Sequence, residues 1–397
     1  MIRSTAPREM TGLLSKACPD TRWAWVEIDQ VALRYNTRAF KARLARGVKM
    51  MCVVKADAYG HGAVPCAKIM AAAGADQFAV ATVEEGVQLR HAGILEPILL
   101  LSEPPVEAIP TLIEYDIMPS VYTEEFAYAL GESASLAGKV AHYHIAVDTG
   151  MSRIGLRPSD VLEFRRNVEF HAGLECAGIF THFATADEPG GWDFELQYKR
   201  FMDAVHSLDE AGLSYGIVHC NNTPATMLHT ETQHMMCRVG VGLYGMHPAS
   251  TTVYTMELKP VMSVRARVTH TCYPAVGEGV SYGLTYRIPK QNIQIATIPL
   301  GYADGLSRNL SNKMEVLVNG QRCKQVGRIC MDQCMFAVDV NSRSYKPNTP
   351  VEVGDVVTIL GTDGQQAITA EDHAYIRDTI NYEVTCNFGM RLQKVYV

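Results

Sequence analysis

The run Val48-Lys49-Met50-Met51-Cys52-Val53-Val54 leads directly into Lys55-Ala56-Asp57-Ala58-Tyr59-Gly60-His61-Gly62. A short apolar run bounded by a glycine-containing turn reads as a buried strand. Ending such a strand in lysine is unusual. The ammonium is costly to desolvate, so burial lowers its pKa and leaves a nucleophilic amine. Amines of this kind form Schiff bases with carbonyl compounds and with pyridoxal phosphate. A lone lysine at a strand end would read as a surface residue. The Tyr59-Gly60-His61-Gly62 stretch behind this one shifts the balance toward a site.

The same strand-then-turn unit recurs along the chain. Short apolar runs occupy 48–54, 77–81, 98–101, 117–121, 140–147, 174–181, 217–220 and 236–239. Segments with helical spacing lie between them, at 63–73, 84–91, 123–130, 159–168 and 194–211. Repeated strand–helix units demand parallel pairing, because each helix carries the chain back over the sheet. Eight of them predict an α/β chain whose N-terminal part is a (β/α)8, TIM-like barrel. An open doubly wound sheet is the second choice, but the glycine fingerprint expected after its first strand is missing. Beyond about 255 the texture changes to Val-, Ile- and Thr-rich runs separated by turns such as Val318-Asn319-Gly320 and Thr362-Asp363-Gly364. This predicts a mostly β C-terminal domain with one short helix over 369–382, capped by Thr369. The resulting division is an N-terminal extension, 1–22, a barrel domain, 23–250, and a β domain, 251–397. The strand-like stretch 24–29 precedes the barrel and is expected to pair with the β domain.

Composition bounds the rest. A length of 397 residues suggests about two domains, and 47% hydrophobic with 20% charged residues is ordinary for a globular chain. The net charge of −6 leaves no basic footprint for nucleic acid. No apolar run approaches the roughly 20 residues of a membrane helix, and residues 1–22 lack the apolar core of a secretory signal. Eleven cysteines without zinc-finger spacing fit reduced thiols in a cytoplasmic protein and no metal site.

In such a barrel, function sits on the loops after the strands. Those loops carry Lys55 and Tyr59, then Asp148-Thr149-Gly150-Met151-Ser152-Arg153, His182, Asn221-Asn222-Thr223, and Arg238-Val239-Gly240-Val241-Gly242. Each has a bland reading: Arg153 as a surface ion pair, His182 as a core histidine, Asn222 and Thr223 as helix caps. Their convergence on one rim reads as a site. Thr223, Gly240 and Val241 supply a hydroxyl and backbone N–H groups suited to a phosphate.

Six stretches together identify a family. Lys55 to Gly62, Asp148 to Arg153, His182-Phe183-Ala184-Thr185-Ala186-Asp187, Val280-Ser281-Tyr282-Gly283, Gly301-Tyr302-Ala303-Asp304-Gly305 and Arg328-Ile329-Cys330-Met331-Asp332 resemble alanine racemase, in that family's order, from about residue 24 to the C-terminus. The resemblance implies a pyridoxal 5′-phosphate enzyme that interconverts L-alanine and D-alanine for the cell wall, working as a homodimer with shared active sites. Lys55 would hold the cofactor covalently. Tyr59, Asn222, Thr223, Gly240, Val241 and Tyr382 would surround its phosphate, His182 would belong to the same cofactor-binding set, and Arg238 would face the pyridine nitrogen. Arg153 and the Met331 backbone would bind the substrate carboxylate. Tyr282 would be the second acid/base, reaching the site from the other subunit with Met331. Asp187, Tyr302, Arg308, Arg328 and Asp332 match the family's polar entrance.

The implied chemistry is coherent. Racemisation removes a proton from one face of Cα and returns it to the other, which two acid/base groups do more simply than one. Free tyrosine has a pKa near 10, so Tyr282 would need it lowered. One departure stands out: many members carry a carbamylated lysine seven residues before the arginine, and here that residue is Ala146. The rival readings are a serine or broad-specificity racemase, a barrel-fold decarboxylase, and a non-catalytic pyridoxal-phosphate-binding protein. Arg238 argues against the decarboxylase, and the second domain with Tyr282 against the binding protein. A bulky Tyr382 favours alanine over serine, weakly.

Overall fold

The computed structural model describes residues 22–188, 190–340 and 349–397. Its described residues divide into two compact units, one within 30–260 and the other made of 22–29 together with those of 261–397. The first strand, β1 (Ala24–Ile28), belongs to the second unit.

The first unit holds eight strands: β2 (Lys49–Val53), β3 (Gln77–Val80), β4 (Ile98–Leu100), β5 (Ile117–Val121), β6 (Ala141–Val147), β7 (Leu174–Thr181), β8 (Ile217–His219) and β9 (Met236–Val239). They fall on the eight apolar runs of the sequence. All seven hydrogen-bonded pairings are parallel, in the order β8-β7-β6-β5-β4-β3-β2-β9. Burial is nearly continuous along β2, β3, β4 and β5, as expected when both faces are covered. The seam between β8 and β9 carries no regular ladder, yet Met235 N donates to Val218 O (3.2 Å) and Arg238 N donates to Asn221 O (2.9 Å), so the sheet closes. This is the (β/α)8 barrel, and the doubly wound alternative is excluded.

Local signals fix the helices. Ala63–Ala73 ends on Gly74, whose φ of 110° allows its N–H to return to Ala71 O and Met70 O. Val83–His91 begins with a capping box between Thr82 and Glu85. The longest helix, Trp192–Glu210, follows β7 and buries Phe194, Gln197, Phe201, Ala204, Val205 and Leu208. No helix of the described residues is long and apolar enough to cross a membrane.

The second unit is mostly β. Its strands are β10 (Met262–Arg267), β11 (His270–Cys272), β12 (Gly279–Val280), β13 (Tyr286–Arg287), β14 (Ile293–Ile298), β15 (Glu315–Val318), β16 (Gln321–Val326), β17 (Cys334–Asp339), β18 (Val356–Asp363), β19 (Gln366–Ile368) and β20 (Gln393–Tyr396). The main sheet runs β11-β14-β17-β16-β15-β18-β10-β1-β20, with β19 on β18, while β12 and β13 form a separate ribbon. β1 lies antiparallel to β10 and parallel to β20. Buried Glu27 ties this region by accepting from Trp25 Nε1 (2.9 Å) and Arg265 Nε (2.8 Å). The β15–β16 hairpin turns through Asn319 and Gly320, both at positive φ.

One sequence expectation is corrected. The single helix over 369–382 is two, Ala370–Arg377 and Asn381–Cys386. Thr369 caps the first as expected, through a capping box with Asp372. The break comes at Asp378, whose left-handed backbone (φ 56°) lets Thr379 N return to Ala374 O. An aspartate tolerates that conformation, and periodicity does not reveal it.

Gly245 offers a test of barrel packing. Its φ is 80°, and a Cβ there would lie 1.9 Å from Lys259 O. Gly245→Ala is therefore expected to destabilise the chain by at least about 2 kcal/mol, seen as a lower urea midpoint.

Candidate active site

Val54 ends the first barrel strand by donating its N–H to Ala79 O, and Lys55 follows at once. The next four residues, Ala56, Asp57, Ala58 and Tyr59, all have φ of 53–54°. This is a full turn of left-handed helix, built without glycine. Such a turn costs about 1–2 kcal/mol per residue, so its neighbours must hold it. Glu85 Oε1 accepts from Ala56 N (2.6 Å), and Asp57 Oδ1 accepts from Ala63 N (2.7 Å). Buried His61 places Nδ1 3.0 Å from both Ala58 O and Tyr59 O, so that nitrogen carries the proton and donates. Gly60 and Gly62, at φ 84° and 94°, let the chain leave the turn. Lys55 emerges half-buried at the end of the barrel. The Tyr59 hydroxyl lies against Gly240, where a Cβ would approach to 2.6 Å.

Arg238, on β9, is 3% exposed. Its guanidinium donates to Thr181 O (2.7 Å), His219 O (3.1 Å), Cys220 O (3.2 Å) and His219 Nδ1 (2.9 Å). Because arginine only donates, His219 Nδ1 is an acceptor and the proton of His219 sits on Nε2. That Nε2 lies 2.8 Å from His144 Nδ1. His144 Nδ1 is thus also an acceptor, and His144 carries its proton on Nε2, which is buried without a partner among the described residues. The geometry therefore makes both histidines neutral. The electrostatics agree: burial and then Arg238 push His144 down to about 3 and hold His219 well below its ordinary value. Burial lowers Arg238 itself to about 10, so it stays charged at neutral pH.

His182, after β7, is pushed down to about 3 by burial and then by Arg238, Arg153 and Lys55. Lys55 directly after β2, Arg153 on the loop after β6, His182 directly after β7 and Arg238 near the end of β9 all lie toward the same strand ends of the barrel. Arg153 rides on the loop after β6. Asp148 Oδ1 accepts from Gly150 N (3.1 Å) and Ser152 N (2.9 Å) in that loop.

Asn222 serves as a helix cap. Its Oδ1 accepts from Ala225 N, capping the helix Thr223–Leu228, and its Nδ2 donates to Phe183 O. Thr223 does not cap; its hydroxyl accepts from Gly240 N at 2.8 Å. The Gly240 N–H is thereby engaged, which leaves the Thr223 hydroxyl hydrogen and the Val241 N–H at the head of its short turn as donors. Asp187 follows His182 in the same unit, its carbonyl accepting from Thr251 Oγ1 (2.7 Å).

The second unit gathers most of the remaining residues. Ser281, at φ 64°, donates through Oγ to Arg328 O (2.6 Å), and Gly283 lies so close to Arg328 that a Cβ would sit 3.3 Å from Nη1. Tyr302 N donates to Cys330 O and Ala303 N to Met331 O, both at 3.0 Å. Ile329 N donates to Ser311 Oγ beside the turn that carries Arg308. Tyr282, Tyr302 and Met331 thus share one surface, at 70%, 42% and 53% exposure. Asp332 is gripped by Arg391 (2.6 Å), which also approaches buried Asp304 (3.4 Å). Tyr382 lies in the helix Asn381–Cys386, half-buried.

Sequence reasoning missed Glu85, His144, Gln197, Arg200 and His219. Only Glu85 left a signal, the Thr82-x-x-Glu85 spacing of a capping box.

Comparison with known proteins bears directly on this constellation. The family model for the alanine racemase N-terminal domain matches residues 28–248, and that for the alanine racemase C-terminal domain matches 261–396. The chain is 40% identical over 375 residues to an alanine racemase of Symbiobacterium thermophilum, covering 94% of this chain and 97% of that one. It is 41% identical over 378 residues to an alanine racemase of Synechocystis, covering 94% and 99%. Among solved structures, an alanine racemase from Bacillus anthracis with bound L-Ala-P superposes with a TM-score of 0.88 at 36% identity, covering 96% of each chain.

The neutral pair His144 and His219 predicts a pH dependence. Both have folded pKa values below the unfolded value of about 6.5. Below pH 6.5 the unfolded chain binds protons that the folded chain refuses, so stability is complete above that pH and falls as the solution is acidified. Each histidine is expected to remove about 1 kcal/mol per pH unit. Urea midpoints should fall from pH 7.5 to pH 5, and His144→Gln should make that fall shallower.

Proposed function

Because the chain belongs to the alanine racemase family, whose members are isomerases, we propose that it interconverts L-alanine and D-alanine with pyridoxal 5′-phosphate. The observation that carries this reading is the set of groups at the strand ends of the barrel, with Lys55 directly after β2 and the hydroxyls of Tyr59 and Thr223 both set against Gly240. Such a site carries the cations Lys55, Arg153 and Arg238. It suits a ligand that brings a phosphate and a substrate that brings a carboxylate. The residues also fit the cofactor sterically, since glycine at 240 keeps the wall open beside the Tyr59 hydroxyl.

When bound, the cofactor supplies an electron sink that stabilises the carbanion at the substrate Cα. The chain supplies everything else. Lys55 anchors the cofactor through its amine. Tyr59, Thr223, Val241 and Tyr382 serve the phosphate, with Gly240 giving close approach and Asn222 holding the helix that presents Thr223. Arg238 keeps its proton and, toward a cofactor ring nitrogen, would act only as a donor, which would favour the unprotonated ring. The three carbonyls and the neutral His219 that hold Arg238 keep it there. His182 stays uncharged and adds no further repulsion. Arg153 and the Met331 backbone orient the substrate carboxylate. Lys55 Nζ moves the Cα proton on one face and Tyr282 Oη on the other.

Tyr282 acts from the partner subunit of a head-to-tail homodimer. The exposed surface that holds Tyr282, Tyr302 and Met331 together favours that assignment, because large apolar side chains gathered at a surface suit an interface. Asp187, Tyr302, Arg308, Arg328 and Asp332 line the way in. The protein works in the cytoplasm, and its D-alanine goes to the cell wall.

The test is α-proton exchange and racemisation of L-alanine and L-serine in D2O, beside Tyr282→Phe. Alanine should racemise fast and serine slowly. The variant should lose about 10²–10⁴-fold in the L-alanine direction, the size of a lost general acid/base. Absence of exchange with the cofactor bound through Lys55 would reject the racemase reading.

A further inference from the structure

The substrate-binding arginine of this chain lacks the usual side-chain support. Ala146 is buried in β6 where many family members carry the lysine that steadies this arginine. Among the described residues, the Arg153 guanidinium makes no hydrogen bond or ion pair. Its loop is held instead, and from one helix.

Gln197, on the helix Trp192–Glu210, is 4% exposed. Its Oε1 accepts from Ala184 N (2.9 Å), and its Nε2 donates to Thr149 Oγ1 and His182 O (both 3.2 Å). Both amide hydrogens are used, and a flipped amide would aim Nε2 at the Ala184 N–H. The orientation is therefore fixed. One buried side chain thus bridges the Arg153 loop and the His182 loop. Thr149 passes the constraint on. Thr181 Oγ1 donates to Val147 O (2.9 Å), so Thr149 Oγ1 donates to Thr181 Oγ1 (2.7 Å). One turn along the helix, Arg200 Nη1 donates to Thr149 O (2.9 Å) and lies 3.4 Å from where a Cβ of Gly150 would be. The loop base is zipped by Asp148 N to Leu156 O (2.8 Å) and Leu156 N to Ala146 O (2.9 Å).

We propose that Gln197 and Arg200 are positioning residues that fix Arg153 through the backbone of its loop, in place of the missing side-chain support at 146. This rests on the reading that Arg153 binds the substrate carboxylate. The helix then sets affinity for the carboxylate end of the substrate, and leaves the proton transfers to Lys55 and Tyr282. Arg200 is exposed, so its variants should fold, whereas buried Gln197 is the riskier site.

The experiment uses holoenzyme with Arg153→Lys, Arg200→Ala and Arg200→Lys. It reads kcat and KM for L-alanine, the inhibition constant of propionate, which keeps the carboxylate and lacks the amine, and amide hydrogen exchange over 149–153. Arg200→Ala should raise KM and the propionate constant together by about tenfold, the effect of one charged hydrogen bond, with kcat little changed. Exchange over 149–153 should quicken while the barrel strands stay protected, and Arg200→Lys should recover part of the loss. If Arg153→Lys raises KM and Arg200→Ala leaves both constants and the exchange unchanged, the positioning role is overturned and the carboxylate reading stands. If Arg153→Lys itself leaves KM and the propionate constant unchanged, the carboxylate reading has failed.

Discussion

The barrel depends on one buried guanidinium. Parallel ladders join seven of its eight strand boundaries, and the eighth, between β8 and β9, has only two backbone hydrogen bonds. Arg238 spans that seam from the inside, gathering carbonyls from the ends of β7 and β8. A buried charge survives only when its donors are satisfied. Here the satisfying groups are strand-end carbonyls, so the seam and the charge hold each other. The same residue is the one assigned to the cofactor ring. A lysine at 238 would keep the charge but could not reach three carbonyls and a histidine from one planar fork. Closing the barrel and holding Arg238 at its strand ends are thus one constraint. That constraint extends to His219 and His144, whose tautomers follow from the guanidinium's inability to accept.

The strained turn after Lys55 is the second fixed point. Four consecutive left-handed residues without glycine are unfavourable by several kcal/mol on the usual scale, and strain of this kind persists only where the surroundings over-determine it. Glu85, Asp57 and His61 each hold one part of the turn. Glu85 also caps its own helix through Ala81 N and Thr82 N, so a single carboxylate couples the placement of Lys55 to the next β/α unit. Lys55 is therefore held by the barrel and not by a free loop, which limits how far its backbone can wander.

The barrel was legible because its signal is repetitive. Eight apolar runs at regular spacing leave little choice of topology, and strand ends in a barrel of this kind place their loops on one rim. The placement of Lys55, Arg153, His182 and Arg238 toward strand ends was readable for that reason, as were Thr369 as a cap and the turn at Asn319-Gly320. The left-handed turn was not, since Ala-Asp-Ala-Tyr has no residue that demands positive φ and its support comes from Glu85, well along the chain. Asp378 broke a helix for the same kind of reason. His144 and His219 sit mid-strand and at a strand end among apolar residues, where a histidine looks like ordinary core. Their role exists only through Arg238, which is distant from His144 in sequence. Gln197 looks like any polar residue on an amphipathic helix until its three partners are known.

These features share an electrostatic logic. Arg153 and Arg238 repel each other, and Lys55 acts on His182 in the same sense as both. The fold tolerates this by keeping the nearby imidazoles neutral, by satisfying Arg238 with carbonyl dipoles, and by holding Arg153 through its backbone, with no counter-charge spent on its guanidinium. A carboxylate placed beside Arg153 would relieve that repulsion but, on the role proposed for Arg153, would also compete with substrate. Holding the arginine by its loop leaves its positive charge available to an incoming carboxylate. Ala146 is consistent with that arrangement, because a loop clamped by Gln197 and Arg200 no longer needs an anion beside the arginine to keep it in place.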